Sequence, residues 1–188
     1  MCSKFQRSAA FHSISSAILS SVTMHLITGD ETGLMRLIST EKKDFVTYGE
    51  VQSRSLSVLS MAWLVIDESF ALLRINGHIE TYEVNLDDPE NGTLALVGTF
   101  TSGLESPLKL CRLDEHSVMC YNAEGDVEVV SVSQKSNFLD TTINMFSGES
   151  SLRGPLNAFA YNTMSSRLAC GGQKNDLQVH YKHIIRCK

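Results

Sequence analysis

The sequence predicts an all-β, propeller-like fold of about four antiparallel blades in an open arc, from three observations. Turn-forming residues recur at Gly33, Gly77, Gly125 and Asn175, at intervals of 44, 48 and 50 residues, which is the spacing of propeller blades. Each is followed by a run that alternates apolar and other residues, "TGLMRLI", "NGHIETY", "EGDVEVV" and "KNDLQVH", as strands do. Each is preceded by a short apolar stretch, and beyond residue 24 no helical periodicity of any length appears.

The strands follow in order, lettered a to d within each unit. In the first copy, "HLITG" from His25 is b, the run after Gly33 is c and "DFVTYG" from Asp44 is d. The second copy reads "VLSMAW" from Val58, "SFALL" from Ser69, the run after Gly77, and "LALVGTF" from Leu94. The third reads "PLKLCRL" from Pro107, "SVMCY" from Ser117 and the run after Gly125, with an unmarked fourth strand between Phe138 and Phe146. The fourth reads "PLNAFAY" from Pro155, "SRLACGG" from Ser166 and the run after Asn175. Gly and Asn tolerate the positive φ that a two-residue hairpin turn requires. The count reaches at most fourteen strands, short of the ~16 of a closed ring with four four-stranded blades. The chain is therefore expected to be an arc of a larger ring, as an incomplete chain or a truncated form.

Residues 1–23 read as an N-terminal extension, disordered or forming a short helix within Ile14 to Val22, and residues 24–188 as the incomplete propeller. Lys4 and Arg7 are the only charges before Asp30, and serine is frequent. Organellar transit peptides share that composition, although two basic residues are few for one. Met24 is the preferred functional start.

Acidic residues outnumber basic ones, 21 to 16, for a net charge of −5, which excludes a protein that coats nucleic acid through bulk charge. Five widely spaced cysteines without a C-x-x-C pair indicate reduced thiols of an intracellular protein, neither a disulfide framework nor a zinc site. No apolar run approaches the ~18 to 20 residues that cross a bilayer.

Chemistry-bearing residues are few. Cys170 with His180 and His183 has the ingredients of a thiol nucleophile and base, but strand alternation turns Cys170 toward a blade interface, so no catalytic residue is expected. Asp87 and Asp88, with Glu83 and Glu90, precede Pro89, Asn91 and Gly92 and read as a solvated loop, not a metal site. Trp63 reads as packing and His116 as a hairpin tip. Lys174, His180, Lys182, His183, Arg186 and Lys188 form a basic end, a candidate for phosphate contact, set against an ordinary exposed edge.

The segment "RLACGGQKNDLQVHY", residues 167 to 181, resembles the hairpin of a WD40 repeat, and most closely that of the WD-repeat-containing protein 74 family. There a Gly-Gly-Lys-Glu-Asn run precedes Leu-Lys-Val-Trp-Asp; Gly171, Gly172, Asn175, Leu177 and Val179 fit, and Gln173 and Lys174 replace Lys-Glu. "MHLITGDETGLMRLI" from Met24 and "SVLSMAW" from Ser57 are similar to the family's opening blade and the next strand a. His180 and Tyr181 stand where Trp-Asp belongs, as do Tyr82-Glu83 and Val130-Ser131 earlier, so the Asp, Ser, His and Trp tetrad that cross-links many such blades is largely missing.

The resemblance implies a partial WD40-type propeller acting as a non-enzymatic scaffold in assembly of the large ribosomal subunit, in the nucleus and nucleolus. The implied partners are pre-60S assembly proteins and rRNA, with no membrane, small-molecule substrate, metal or cofactor. Partner contacts are expected at Arg36, Gln173, Lys174 and Asp176, at or next to b–c turns that share one rim. A WD40-type adaptor in signalling or ubiquitin ligation, and a propeller-fold enzyme, are the alternatives.

Overall fold

Short runs that are apolar on both faces can be buried only by stacking sheets against one another. The computed structural model describes residues 13–20, 22–40, 46–52, 56–86, 92–132, 141–144, 156–162, 164–165, 167–172 and 177–180. They form fifteen strands and, among the described residues, no helix.

Blade 1 consists of β1 (Ile14–Leu19), β2 (His25–Asp30), β3 (Leu34–Ser39) and β4 (Val46–Gln52). Blade 2 consists of β5 (Val58–Val65), β6 (Ser69–Arg74), β7 (His78–Asn85) and β8 (Thr93–Thr101). Blade 3 holds β9 (Lys109–Arg112), β10 (Ser117–Tyr121), β11 (Asp126–Ser131) and β12 (Thr141–Asn144), and blade 4 holds β13 (Leu156–Asn162), β14 (Arg167–Gly172) and β15 (Leu177–His180). In every sheet the strands lie in chain order and pair antiparallel, so each blade is a meander. The a strands follow one another, β1 against β5, β5 against β9 and β9 against β13. The fold is a partial β-propeller, as the repeat predicts.

Three of the four predicted turn residues adopt positive φ, Gly33 at 88°, Gly77 at 81° and Gly125 at 88°; Asn175 lies outside the described residues. The repeat extends to pairing detail. Strand a bulges at its start in blades 1, 2 and 4, between Ile14 and Ser16, Val58 and Ser60, and Leu156 and Ala158. Ile14, Val58 and Leu156 therefore occupy one equivalent position, opposite Asp30, Arg74 and Gly172.

One expectation differs from the structure. Ile14–Leu19 is neither an extension nor a helix: it is strand a of blade 1, with Ile18 opposite Ile27 and Leu19 opposite Leu26. Its serines and β-branched residues favour helix weakly, while pairing with β2 satisfies its backbone groups and seats Ile18 against the core shared with blade 2. The fourth strand of blade 3, expected between Phe138 and Phe146, is β12, and β1 brings the count of strands to fifteen. Residues 1–12 lie outside the described part.

The core is three interblade layers. Ile27, Met35 and Leu37 of blade 1 meet Val58, Phe70, Leu72 and Tyr82 of blade 2. Ala71, Leu73 and Ile79 on the other face of blade 2 meet Leu110, Val118 and Val130 of blade 3. Met119, Tyr121 and Val127 on the opposite face of blade 3 meet Leu168 and Cys170 of blade 4. Successive residues of a b strand thus serve different neighbours, because strand side chains alternate. Each large apolar side chain buried this way contributes about 1.5–3 kcal/mol. Blades 1 and 2 approach closely at Gly29, where a Cβ would lie 2.8 Å from Val58 Cγ1.

Candidate functional site

A meander puts its a–b and c–d connections on one rim and its b–c turns, with the linkers entering strand a, on the other. The second set defines the first rim, where partner contacts are expected from sequence. Buried polar side chains stitch it together.

In blade 1, Asp30 Oδ1 accepts from Thr32 N at 2.9 Å, Thr32 Oγ1 at 2.7 Å and Leu34 N at 3.0 Å, which fixes the b–c turn. In blade 2, Arg74 donates to Glu80 Oε2 through Nε at 3.1 Å and Nη2 at 2.9 Å, while Tyr82 Oη donates to the same oxygen at 2.9 Å. Arg74 Nη1 reaches out of the blade to Gly33 O at 3.2 Å and Leu56 O at 2.9 Å. In blade 3, Glu128 Oε2 accepts from Ser102 Oγ at 2.6 Å, and both its oxygens accept from Gly103 N, at 3.0 and 2.9 Å, tying the linker from blade 2.

Glu80 and Glu128 are equivalent positions of strand c, opposite Leu72 and Cys120. The same position in blade 1 is Arg36, opposite Thr28, and in blade 4 Gln178, opposite Cys170. This polar column recurs at the intervals of the turn residues, and its Glu80 and Glu128 face the preceding blade. It takes the place of the tetrad that the sequence lacks.

Arg36 therefore sits within β3, half-buried, with Nη1 4.0 Å from Asp30 Oδ2, and not at a loop tip. Gln173, Lys174 and Asp176 lie outside the described residues, as do Asp87, Asp88 and the side chains of the basic end, so the four expected contact residues are not seen together. Trp63 packs edge-to-face on Phe70 with ring centroids 6.0 Å apart. His116 closes the β9–β10 turn, its N donating to Asp114 Oδ1 at 2.7 Å.

Cys170 is buried at the interface of blades 3 and 4, and burial pushes its thiol up to about 11. A catalytic thiol requires the opposite shift. Burial likewise raises Cys111 and Cys120 to about 12.

The second rim carries features that the sequence analysis missed. Large apolar side chains stand exposed in three a–b turns: Val22 at 74%, Ile66 at 50% and Met164 at 97%. Thr23 Oγ1 donates to Asp67 Oδ1 at 2.7 Å, joining the turns of blades 1 and 2. Both turns contain non-glycine residues at positive φ, Met24 at 54° and Asp67 at 67°. Beside Ile66 opens a cleft of about 570 Å³ whose lining includes Asp67, Glu68 and Glu83. A smaller one of about 140 Å³, between blades 2 and 3, includes Tyr82 and Glu115 in its lining. Exposed apolar side chains beside carboxylates suit a peptide bearing apolar and basic residues and oppose a phosphate backbone. Period-2 alternation does not report these residues, because they fall in the turns between runs.

No protein-family model and no curated protein matches the chain. Among solved structures it is similar to the β-propeller domain of Cps50 (Swd1) from Myceliophteria thermophila, at 13% identity with a TM-score of 0.66. The match covers 89% of this chain and 50% of that one, so the chain spans half the length of that structure. At this identity the likeness is one of fold: a blade array built as a propeller, of which the chain forms an arc.

Proposed function

We propose that the chain is a non-enzymatic scaffold that holds protein partners during assembly of the large ribosomal subunit, in the nucleus and nucleolus. The observation that carries the binding part is the row of exposed apolar tips, Val22, Ile66 and Met164, on a rim made rigid by cross-linked blades. Exposed apolar groups rimmed by polar residues mark interaction sites. The ribosomal part rests on the resemblance of residues 24 to 181 to the WD-repeat-containing protein 74 family.

The partners under this proposal are pre-60S assembly proteins. Contact with rRNA falls to the basic residues Lys174, Lys182, Arg186 and Lys188, because the described carboxylates of the second rim repel phosphate. Affinity purification of the tagged chain is expected to enrich pre-60S particles, and Ile66→Asp with Val22→Asp is expected to lose them while the β-sheet circular dichroism is kept. Enrichment of signalling or ubiquitin machinery without pre-ribosomal particles would replace the ribosomal reading with the adaptor one.

A further inference from the structure

The outer edge of blade 2, which lies between blades 1 and 3, lacks the features that close a sheet edge. Short length, charge and proline keep an edge from accepting another strand. The outer strand of blade 1 carries Glu50, and that of blade 3 is only four residues long. Strand β8 runs for nine residues, Thr93–Thr101, with no charged residue and no proline, and it ends its sheet. Ser102 N donates to Gly77 O at 3.0 Å, and backbone polar groups alternate sides along an antiparallel strand. Thr101 and Thr99 therefore turn their N–H and C=O away from β7, to the open edge.

Both faces of this edge are accessible, and they differ in character. Leu96, 48% exposed, stands opposite Tyr82 on the side of blade 1. Val97, 60% exposed, lines the smaller cleft toward blade 3 together with Glu83 and Glu115. Thr93 and Ala95 line the larger cleft together with Asp67, Glu68 and Glu83. Among the described residues, neither lining contains a lysine, arginine or histidine. Glu83 is exposed and stands opposite Ala95, whose methyl group is too short to cover it. A strand added at β8 would run two strand spacings, ~10 Å, from the strand of Glu83, a gap that an arginine and a glutamate side chain span together.

We propose that β8 accepts an extended segment of a protein partner as a fifth strand of blade 2. The segment alternates in character: apolar residues lie beside Leu96, and an arginine or lysine passes over Ala95 to Glu83. Unpaired backbone groups supply the hydrogen bonds of such strand addition, and side chains on alternate positions supply its specificity. The carboxylates of both clefts select a basic segment over an acidic one. This rests on the scaffold reading only in taking the occupant to be protein.

Fluorescence anisotropy of the full chain with a labelled synthetic peptide, Thr-Val-Thr-Val-Arg-Val-Thr-Val-Thr, tests this without reference to pre-60S particles. Saturable binding is expected. Thr99→Pro is expected to weaken it at least about tenfold with unchanged circular dichroism, because the Thr99 N–H points out of the sheet and proline is tolerated at such an edge. A peptide with alternate amides N-methylated tests the same bonds without altering the protein and is expected not to bind. Glu83→Gln is expected to weaken binding about twofold to fivefold, and a peptide with Glu in place of Arg to bind more weakly still. Absence of binding overturns the proposal, as does binding that survives both Thr99→Pro and N-methylation, or that ignores both Glu83→Gln and the charge of the peptide. A concentration-dependent dimer that Thr99→Pro dissolves makes a second copy the occupant and overturns it too.

Discussion

The Arg74 guanidinium and the Glu80 carboxylate meet at 2.9 Å with both side chains fully buried, and the same Arg74 holds the Gly33 carbonyl of the neighbouring blade. Burying an ion pair is costly, and leaving one member alone is costlier. Arg74→Met is therefore expected to destabilise the fold by about 3–5 kcal/mol, and the double replacement Arg74→Met, Glu80→Leu to recover most of that loss. Urea unfolding midpoints of the two variants provide the comparison; a double variant no more stable than the single one would contradict this account.

Glu128 anchors the linker between blades 2 and 3 through Gly103 N and Ser102 Oγ. Glu128→Ala leaves the buried Ser102 hydroxyl and the part-buried Gly103 amide without this acceptor, at a cost of about 1–3 kcal/mol, and Glu128→Gln, which keeps one oxygen, costs less. Hydrogen exchange at the Gly103 amide is expected to speed up in the alanine variant before global unfolding.

Gly29 has no room for a side chain, since a Cβ there would fall 2.8 Å from Val58. Gly29→Ala is expected to destabilise by about 1–3 kcal/mol, as overpacked cores do. Val58→Ala in the same chain is expected to relieve much of the strain, so a double-mutant cycle shows favourable coupling between the two substitutions.

The buried thiols set a ceiling on alkaline stability. Burial raises Cys111 and Cys120 from 9.0 to about 12 and Cys170 to about 11. Between these folded values and the unfolded value, the folded chain holds protons that the unfolded chain has released. Stability from these groups is complete below about pH 9 and falls as pH rises toward 12. Chemical unfolding at a series of alkaline pH values checks the slope. At pH 8, a thiol reagent is expected to label the fully buried Cys120 and Cys170 slowly until denaturant is added.

The periodic turns were legible because positive φ selects residue type: Gly33, Gly77 and Gly125 stand where a Cβ is disfavoured, and the blades follow from their spacing. Strands such as β6 and β10 were legible because both faces are apolar, which no exposed strand would be. Strand β1 was not, because Ser15 and Ser16 interrupt its pattern and its pairing depends on β2. The contact role expected for Arg36 came from its nearness to a turn, while register places it in a strand column with Glu80 and Glu128.

The amino-acid sequence alone determined how many blades form, where each hairpin turns and that each blade has two apolar faces, because turn chemistry and alternation are local properties. Only the tertiary structure decided which face meets which neighbour, how Arg74 and Glu128 replace a missing tetrad, and where Val22, Ile66 and Met164 emerge. Those outcomes depend on register and on the approach of residues more than forty positions apart, such as Arg74 and Gly33, and no local pattern encodes such distances.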